Sequence, residues 1–325
     1  MSSSQDIVLL LTHSGDYFTV DKVAQALSKR GASPFRLDTD LFPLEVQLSA
    51  RLSNSGLKHQ IRYGDRSIST EQVKAVWMRR LWEPKMNPQM EPHLQSGSIR
   101  ESRAALDGFL DSLHKLRWVD ALPRIREAEN KLLQLRIAAE VGLTIPQTLV
   151  TNDPTEARQF FQELEGSMAA KLLTPLSYSM GKSSLFMYTS AVQEQDLAEA
   201  ETLRYCPMVF QEKIPKLCEL RVIYVAGELF VGALEASRYD GKTLDWRNIS
   251  PEDCPWESHQ ITEEIFGQLN SLMTRLGLTY GAIDLIQKPN GEYIFLEVNP
   301  TGEWGMLERD LNLPISDAIA KALLN

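Results

Sequence analysis

Apolar and polar positions fall in blocks along the 325 residues, and the period changes from block to block. Ile7-Val-Leu-Leu-Leu11 is an unbroken apolar run, the pattern of a strand covered on both faces. From about Thr19 to Arg30 the period lengthens to that of a helix, with Val20, Val23, Ala24 and Leu27 on one side and Gly31 placed to stop it. Pro34–Leu37 reads as a second strand running into Asp38-Thr39-Asp40. Strand, helix, strand in that order predicts a parallel α/β sheet. Val46–Leu52, Leu57–Tyr63 and Ala75–Met78 read as further strands, with turns at Asn54-Ser55-Gly56 and Gly64-Asp65. Met86–Pro92 reads as a loop. Ser98–Trp118 reads as a long helix carrying Leu106, Phe109, Leu110 and Leu113.

A second unit opens with a helix over Glu127–Val141, closed by Gly142, and a short strand over Thr148–Val150. Asp153-Pro154 starts another helix by capping and a preset φ. Met168–Leu172 is strand-like, a polar loop containing Gly181 follows, Ser184–Tyr188 resumes a strand, and Gln193–Thr202 is helical in pattern. A third unit begins at the strand Met208–Gln211. Leu220–Ala226 and Leu229–Ala236 form a hairpin at Gly227-Glu228. After the irregular stretch Ser237–Pro255 comes a helix over Gln260–Leu276. The strands Tyr280–Ile286 and Tyr293–Val298 flank the turn Pro289-Asn290-Gly291, and short helices near Trp304–Asp310 and Ile315–Leu324 follow.

Composition narrows the classes. With 43 acidic residues against 34 Lys plus Arg, the net charge of −9 argues against general binding to nucleic acid, which needs a concentrated basic surface. No apolar run is long enough for a membrane span. Cys206, Cys218 and Cys254 lack paired spacing, so neither a disulfide framework nor a structural zinc site is expected, and a reducing, cytoplasmic setting is. They also lack an identifiable base partner, which makes them packing residues rather than nucleophiles. His13 reads as a capping or backbone-bonding residue, and the other four histidines have no metal-like spacing.

Two segments carry the chemistry. Gly281-Ala-Ile-Asp284 and Phe295-Leu-Glu297-Val-Asn299-Pro300 are apolar strands with polar groups at selected positions. Period-two geometry puts Glu297 and Asn299 on one side, and an antiparallel partner brings Asp284 to the same side. Two carboxylates and an amide oxygen suit Mg²⁺. Three solvent-facing residues of an ordinary sheet edge fit the same spacing. Lys171 stands out in the apolar run Met168–Leu173, and the hydroxyl-rich loop 174–184, with Ser177 and Gly181, offers groups for phosphate; a snorkelling lysine beside a surface hairpin is the plainer alternative. The G-x-x-x-x-G-K-S/T pattern of a P-loop is absent. Lys131, at the start of a helix, is a second phosphate candidate or a solvated helix lysine. Arg79 and Arg80, after a strand, read as exposed cations in surface ion pairs.

Taken together, these segments resemble the ATP-grasp superfamily over essentially the whole chain. The openings Leu9-Leu-Leu-Thr-His-Ser-Gly-Asp16, Phe35–Asp40 and Val76-Trp-Met-Arg-Arg80 are similar to those of graspetide maturases of the microviridin type. The resemblance implies three α/β modules, about 1–120, 121–205 and 206–325, the last two clasping ATP. It implies phosphate contacts from Lys131 and Lys171 and an adenine-side strand Val209–Ile214 with Gln211, Glu212 and Ile214. It further implies a ribose contact from Glu219 and a γ-phosphate and substrate contact from Arg221. Asp284, Glu297 and Asn299 would hold Mg²⁺, and Arg238 and Arg247 would hold the substrate acid or its acyl-phosphate. The implied partner is a ribosomally made precursor peptide whose helical leader docks near the hairpin Leu220–Ala236; a homodimer is compatible with the resemblance. The implied reaction joins Asp or Glu side chains to Lys amines as lactams. Ester closure on Thr or Ser, a small-molecule carboxylate–amine ligase and a non-catalytic nucleotide-dependent peptide binder are the alternatives.

Overall fold

The computed structural model describes residues 6–173, 189–238 and 255–325. Ser177, Gly181, Arg247 and Cys254, the loop 174–184 and the strand expected at Ser184–Tyr188 lie outside the described residues.

The chain opens with β1 (Ile7–Thr12), α1 (Phe18–Lys29) and β2 (Ser33–Asp38). All six residues of β1 are buried, as its unbroken apolar run requires: Val8 and Leu10 enter one core and Ile7, Leu9 and Leu11 another, on the two faces of the sheet. Gly31 follows α1 at φ +85°, a conformation that glycine adopts without strain. An antiparallel meander, β3 (Val46–Ser53), β4 (Gly56–Tyr63) and β5 (Arg66–Ser69), intervenes before β6 (Val73–Met78) returns to the far side of β1. Helix α2 spans Pro92–Ser112 and begins on a proline whose missing N–H costs nothing in a first turn. It ends earlier than the expected Trp118, because Arg117–Val119 is an edge strand, β7. The parallel sheet has the order β2-β1-β6-β7.

The helix expected over Glu127–Val141 is broken in two, α3 (Leu122–Ala128) and α4 (Lys131–Glu140). Asn130 caps α4 by accepting from Leu133 N at 3.1 Å, so Lys131 sits at the first turn of its own helix. Next come β8 (Thr148–Thr151), α5 (Pro154–Glu163), β9 (Met168–Lys171), β10 (Ser190–Ala191), a 3-10 segment over Glu194–Tyr205 where an α-helix was expected, and β11 (Met208–Glu212). Met208–Gln211, placed by sequence at the head of the third unit, instead lies inside the central sheet, antiparallel to β8 and β9 in the order β10-β9-β11-β8.

The last sheet contains β12 (Cys218–Val225), β13 (Glu228–Glu235), β14 (Glu257–Ser258), β15 (Tyr280–Gln287) and β16 (Tyr293–Asn299), in the order β14-β13-β12-β15-β16. Helix α6 (Glu263–Leu276) and helix α4 cover one face. The other face meets α7 (Gly305–Leu311), α8 (Ile315–Leu324) and the parallel sheet in one core that joins Val8 and Leu10 to Ile223 and Ile319. The hairpin β12–β13 is therefore packed on both sides, with Val222 and Tyr224 in one core and Ile223 and Val225 in the other. Among the described residues no helix is long and apolar enough to cross a membrane.

Candidate active site

Arg221 on β12 lies opposite Asp284 on β15, which lies opposite Glu297 on β16. Directly opposed residues of antiparallel strands share a face, so the three form one row across the sheet. Ala282 opposes Asn299, which puts the amide next to the row on the same side. The register slips between Asp284 and Leu285, leaving Leu296 as an extra residue on β16. Without that bulge Phe295 and Glu297 would point the same way. With it, Phe295 enters the apolar core while Glu297 faces the row.

Each carboxylate of the row already has a cation. Arg221, only 6 % exposed, donates from Nη1 to Asp284 Oδ1 at 2.6 Å. Lys131 reaches from the first turn of α4 to the Glu297 carboxylate. Alongside, Lys216 pairs with Glu219, which stands on the same face of β12 as Arg221. Charge taken from water is costly unless partnered, and here it is partnered group by group. Asn299 Oδ1 accepts from Thr301 N at 3.1 Å, which turns the chain out of β16.

Gln134, which the sequence reading passed over, holds α4 against the open edge of β16. Its Nε2 donates to Ala128 O and Val298 O, and its Oε1 accepts from Val298 N at 2.9 Å. An edge strand offers its backbone groups to any neighbour, and Gln134 takes them up. A glutamine in a helical pattern gives no such signal, because the Val298 backbone that it bonds lies 164 residues away.

The other candidates stand elsewhere. Lys171 is half-buried on β9, opposite Val209 on β11, in the central sheet rather than in the row. Gln211 is buried and donates to Thr148 Oγ1 at 2.9 Å. Glu212 N and Lys213 N donate to Gln147 O and Ser167 O, whereas the Ile214 N–H meets no acceptor among the described residues. Arg238 pairs with Glu257 at 2.6 Å and Glu235 at 3.8 Å, beyond the end of β13 and off the row.

Arg79 overturns its expectation: it is 2 % exposed, not a surface cation. Its Nη1 donates to Thr301 O at 2.6 Å, its Nη2 pairs with the Glu303 carboxylate, and its Nε lies 3.4 Å from Asp16 Oδ2. His13 is buried, stacked on Trp82 at 3.8 Å, and accepts from Gly15 N through Nδ1, while Nε2 has no partner among the described residues. Burial first, and then the charges of Arg80 and Arg79, hold its pKa below the usual value against the pull of Asp16 and Asp40.

An acid-bearing antiparallel sheet, a second, lysine-bearing antiparallel sheet and a parallel α/β sheet in one chain make up the ATP-grasp fold. Residues 7–126 match the MvdD pre-ATP grasp domain and residues 128–323 the RimK-like ATP-grasp domain. Among solved structures, the macrocyclase MdnB from Microcystis aeruginosa MRC is 52% identical over 98% of this chain and 99% of its own, with a TM-score of 0.84. The macrocyclase MdnC from the same organism, solved with the precursor peptide MdnA, is 37% identical over 98% and 99%, with a TM-score of 0.88. A RiPP-associated ATP-grasp ligase of Chryseobacterium gregarium, solved with ADP and a leader and core peptide, is 30% identical over 98% and 96%, with a TM-score of 0.90. The chain belongs to the graspetide (microviridin-type) peptide maturases of the ATP-grasp superfamily, ATP-dependent ligases that join a carboxylate to an amine or a hydroxyl.

Proposed function

We propose that the protein is a Mg-ATP-dependent macrocyclase that activates Asp or Glu side chains of a ribosomally made precursor peptide and closes them onto a nucleophilic side chain of the same peptide. The observation that carries this reading is the charged row, in which Arg221, Asp284, Glu297 and Lys131 satisfy one another on one sheet face. A triphosphate offers Arg221 and Lys131 an alternative anion. Asp284, Glu297 and the Asn299 amide oxygen are hard donors that fit Mg²⁺, which when bound neutralises charge on phosphate oxygens.

The remaining roles follow the layout. Lys171, with Ser177 and Gly181, serves the phosphates from the central sheet. Gln211, Glu212 and Ile214 line the base, where the Ile214 N–H, which meets no acceptor among the described residues, donates to adenine. Glu219 serves the ribose, and Arg238 and Arg247 the substrate acid. The nucleotide lies between the central and the acid-bearing sheets, and the boundary between those units falls in the connection from Glu212 to Cys218 rather than near residue 205. A cytoplasmic location belongs to the same proposal, in keeping with the free thiols Cys206 and Cys218.

In the reaction, a substrate carboxylate oxygen bonds to the γ-phosphorus and ADP departs. The nucleophile then adds to the acyl carbon, loses its proton, and expels phosphate, so each ring costs the peptide one water. No protein nucleophile is required. Two relatives solved with peptides support the choice of partner. The N-terminal resemblance points to Lys amines and lactams. The solved relatives support macrocyclisation without favouring that bond, so ester closure on Thr or Ser stands level with it.

Incubation with ATP, Mg²⁺ and MdnA, the peptide bound by the 37%-identical relative, tests the reading by mass spectrometry. Loss of one water mass per link with ADP release is the expected result; an unchanged peptide and no ADP would refute it. Mild alkali then opens esters and spares amides, which decides the bond.

A further inference from the structure

The parallel sheet has its topological switch point between β1 and β6, since the chain leaves β1 for β2 on one side and later fills β6 and β7 on the other. In open α/β sheets a ligand usually binds in the crevice beyond the carboxyl ends of such strands. Here those ends are followed by His13–Asp16 and by Arg79-Arg80. The Arg79 guanidinium turns to protein groups instead. Beside its bonds to Thr301 O and Glu303, its Nε faces Thr19 Oγ1 at 3.3 Å as well as Asp16. Asp16 is fixed in turn by Thr12 at 2.7 Å and Thr19 at 3.0 Å. Burial alone would raise the Asp16 pKa, but the Arg79 charge and the two hydroxyls hold it below the usual carboxylate value.

The segment that Arg79 grips is the one that leaves the charged row. Thr301–Glu303 follows Asn299 by two residues, and the Glu303 carbonyl accepts from Arg221 Nε at 3.3 Å. On its other side the segment is seated against β15: a Cβ at Gly302 would lie 2.4 Å from the Ala282 Cβ, so only glycine fits. Arg221 is thus held at two points, by Asp284 through Nη1 and by the Glu303 carbonyl through Nε. Arg79 maintains the second.

We propose that Arg79 is a positioning residue of the ligase site, acting through Thr301–Glu303 to set Arg221, so that the switch point of the parallel sheet is committed to the nucleotide site and not to a ligand of its own. This rests on the nucleotide reading above. Affinity for Mg-ATP, measured by calorimetry, tests it in a double-mutant cycle. Arg79→Lys keeps the charge but cannot reach all of these acceptors, and it weakens binding about tenfold. Because the effect runs through Arg221, the double variant R79K/R221K binds no worse than R221K, whereas R79K and K171M, on separate sheets, add. Glu303→Gln, at the exposed end of the pair, leaves Asp16 beside Arg79 and gives the same non-additivity with R221K. Additive losses for R79K/R221K and E303Q/R221K, or wild-type affinity in R79K and E303Q, overturn the proposal. A wild-type protein that binds no Mg-ATP overturns the nucleotide reading itself and this inference with it, a result distinct from binding with additive losses.

Discussion

The sheet that bears the carboxylates and the sheet that bears Lys171 are built on different scales. Strands β12, β13 and β15 run eight residues each and β16 seven. They are packed on both faces, and one of their two cores reaches from Ala128 to Val298 while the other takes in the parallel sheet and α8. Strands β8, β9 and β11 are four, four and five residues long and rest on a small core whose buried members all fall between Ala157 and Phe210. Charges packed side by side need a frame that fixes their distances, and the large sheet supplies one. Lys171 sits on a unit with a separate apolar core, so its position relative to the row is set by fewer shared contacts.

Cutting each core separates the two most sharply. Phe295→Ala should lower the stability of the acid-bearing sheet by about 3–5 kcal/mol, and Phe160→Ala should produce a distinct early transition of the central unit. Calorimetric scans that show one shared transition for both variants would erase the distinction. Next come the charges themselves. Asp284→Asn and Lys171→Met should each reduce peptide-dependent ADP formation about 100-fold or more. Only Asp284→Asn should also lower the melting temperature, because it strips the buried Arg221 of its anion. Equal melting shifts in the two would contradict the contrast.

The smallest effect is in pH. Burial holds the pKa of His13, His59 and His259 below the usual value. Their folded forms resist protonation, so the unfolded chain takes up more protons as pH drops below about 6.5. Stability from these groups is therefore complete above that value and declines as pH falls toward their folded pKa values. The central unit, with no histidine between Ala157 and Phe210, should keep its transition unmoved between about pH 7 and pH 5.5 while the main one falls. Scanning calorimetry at the two pH values reads both.

Much of the fold was legible because local pattern and final environment agreed. The apolar run of β1 met neighbours on both sides, and the Pro289–Gly291 turn did pair β15 with β16. Asp284, Glu297 and Asn299 shared a face as alternation implied, although the bulge at Leu296 was needed to divide Glu297 from Phe295. Other elements misled. Asn130 broke a continuous helical period by capping, and Met208–Glu212 joined the sheet before it rather than the one after, because strand membership depends on partners and not on order in the chain.

By itself the sequence determined which residues are apolar, where the periods change, and that two acids and an amide stand at alternating positions near its end. It could not determine which cation each acid meets, nor that Arg79, written like a surface residue, is buried beneath the segment that supports Arg221. Hydrophobic period is a local property, fixed by the geometry of one strand or helix. Charge pairing is decided by tertiary distance, and Lys131 and Glu297, 166 residues apart, acquire a common environment only when α4 is laid along the edge of β16.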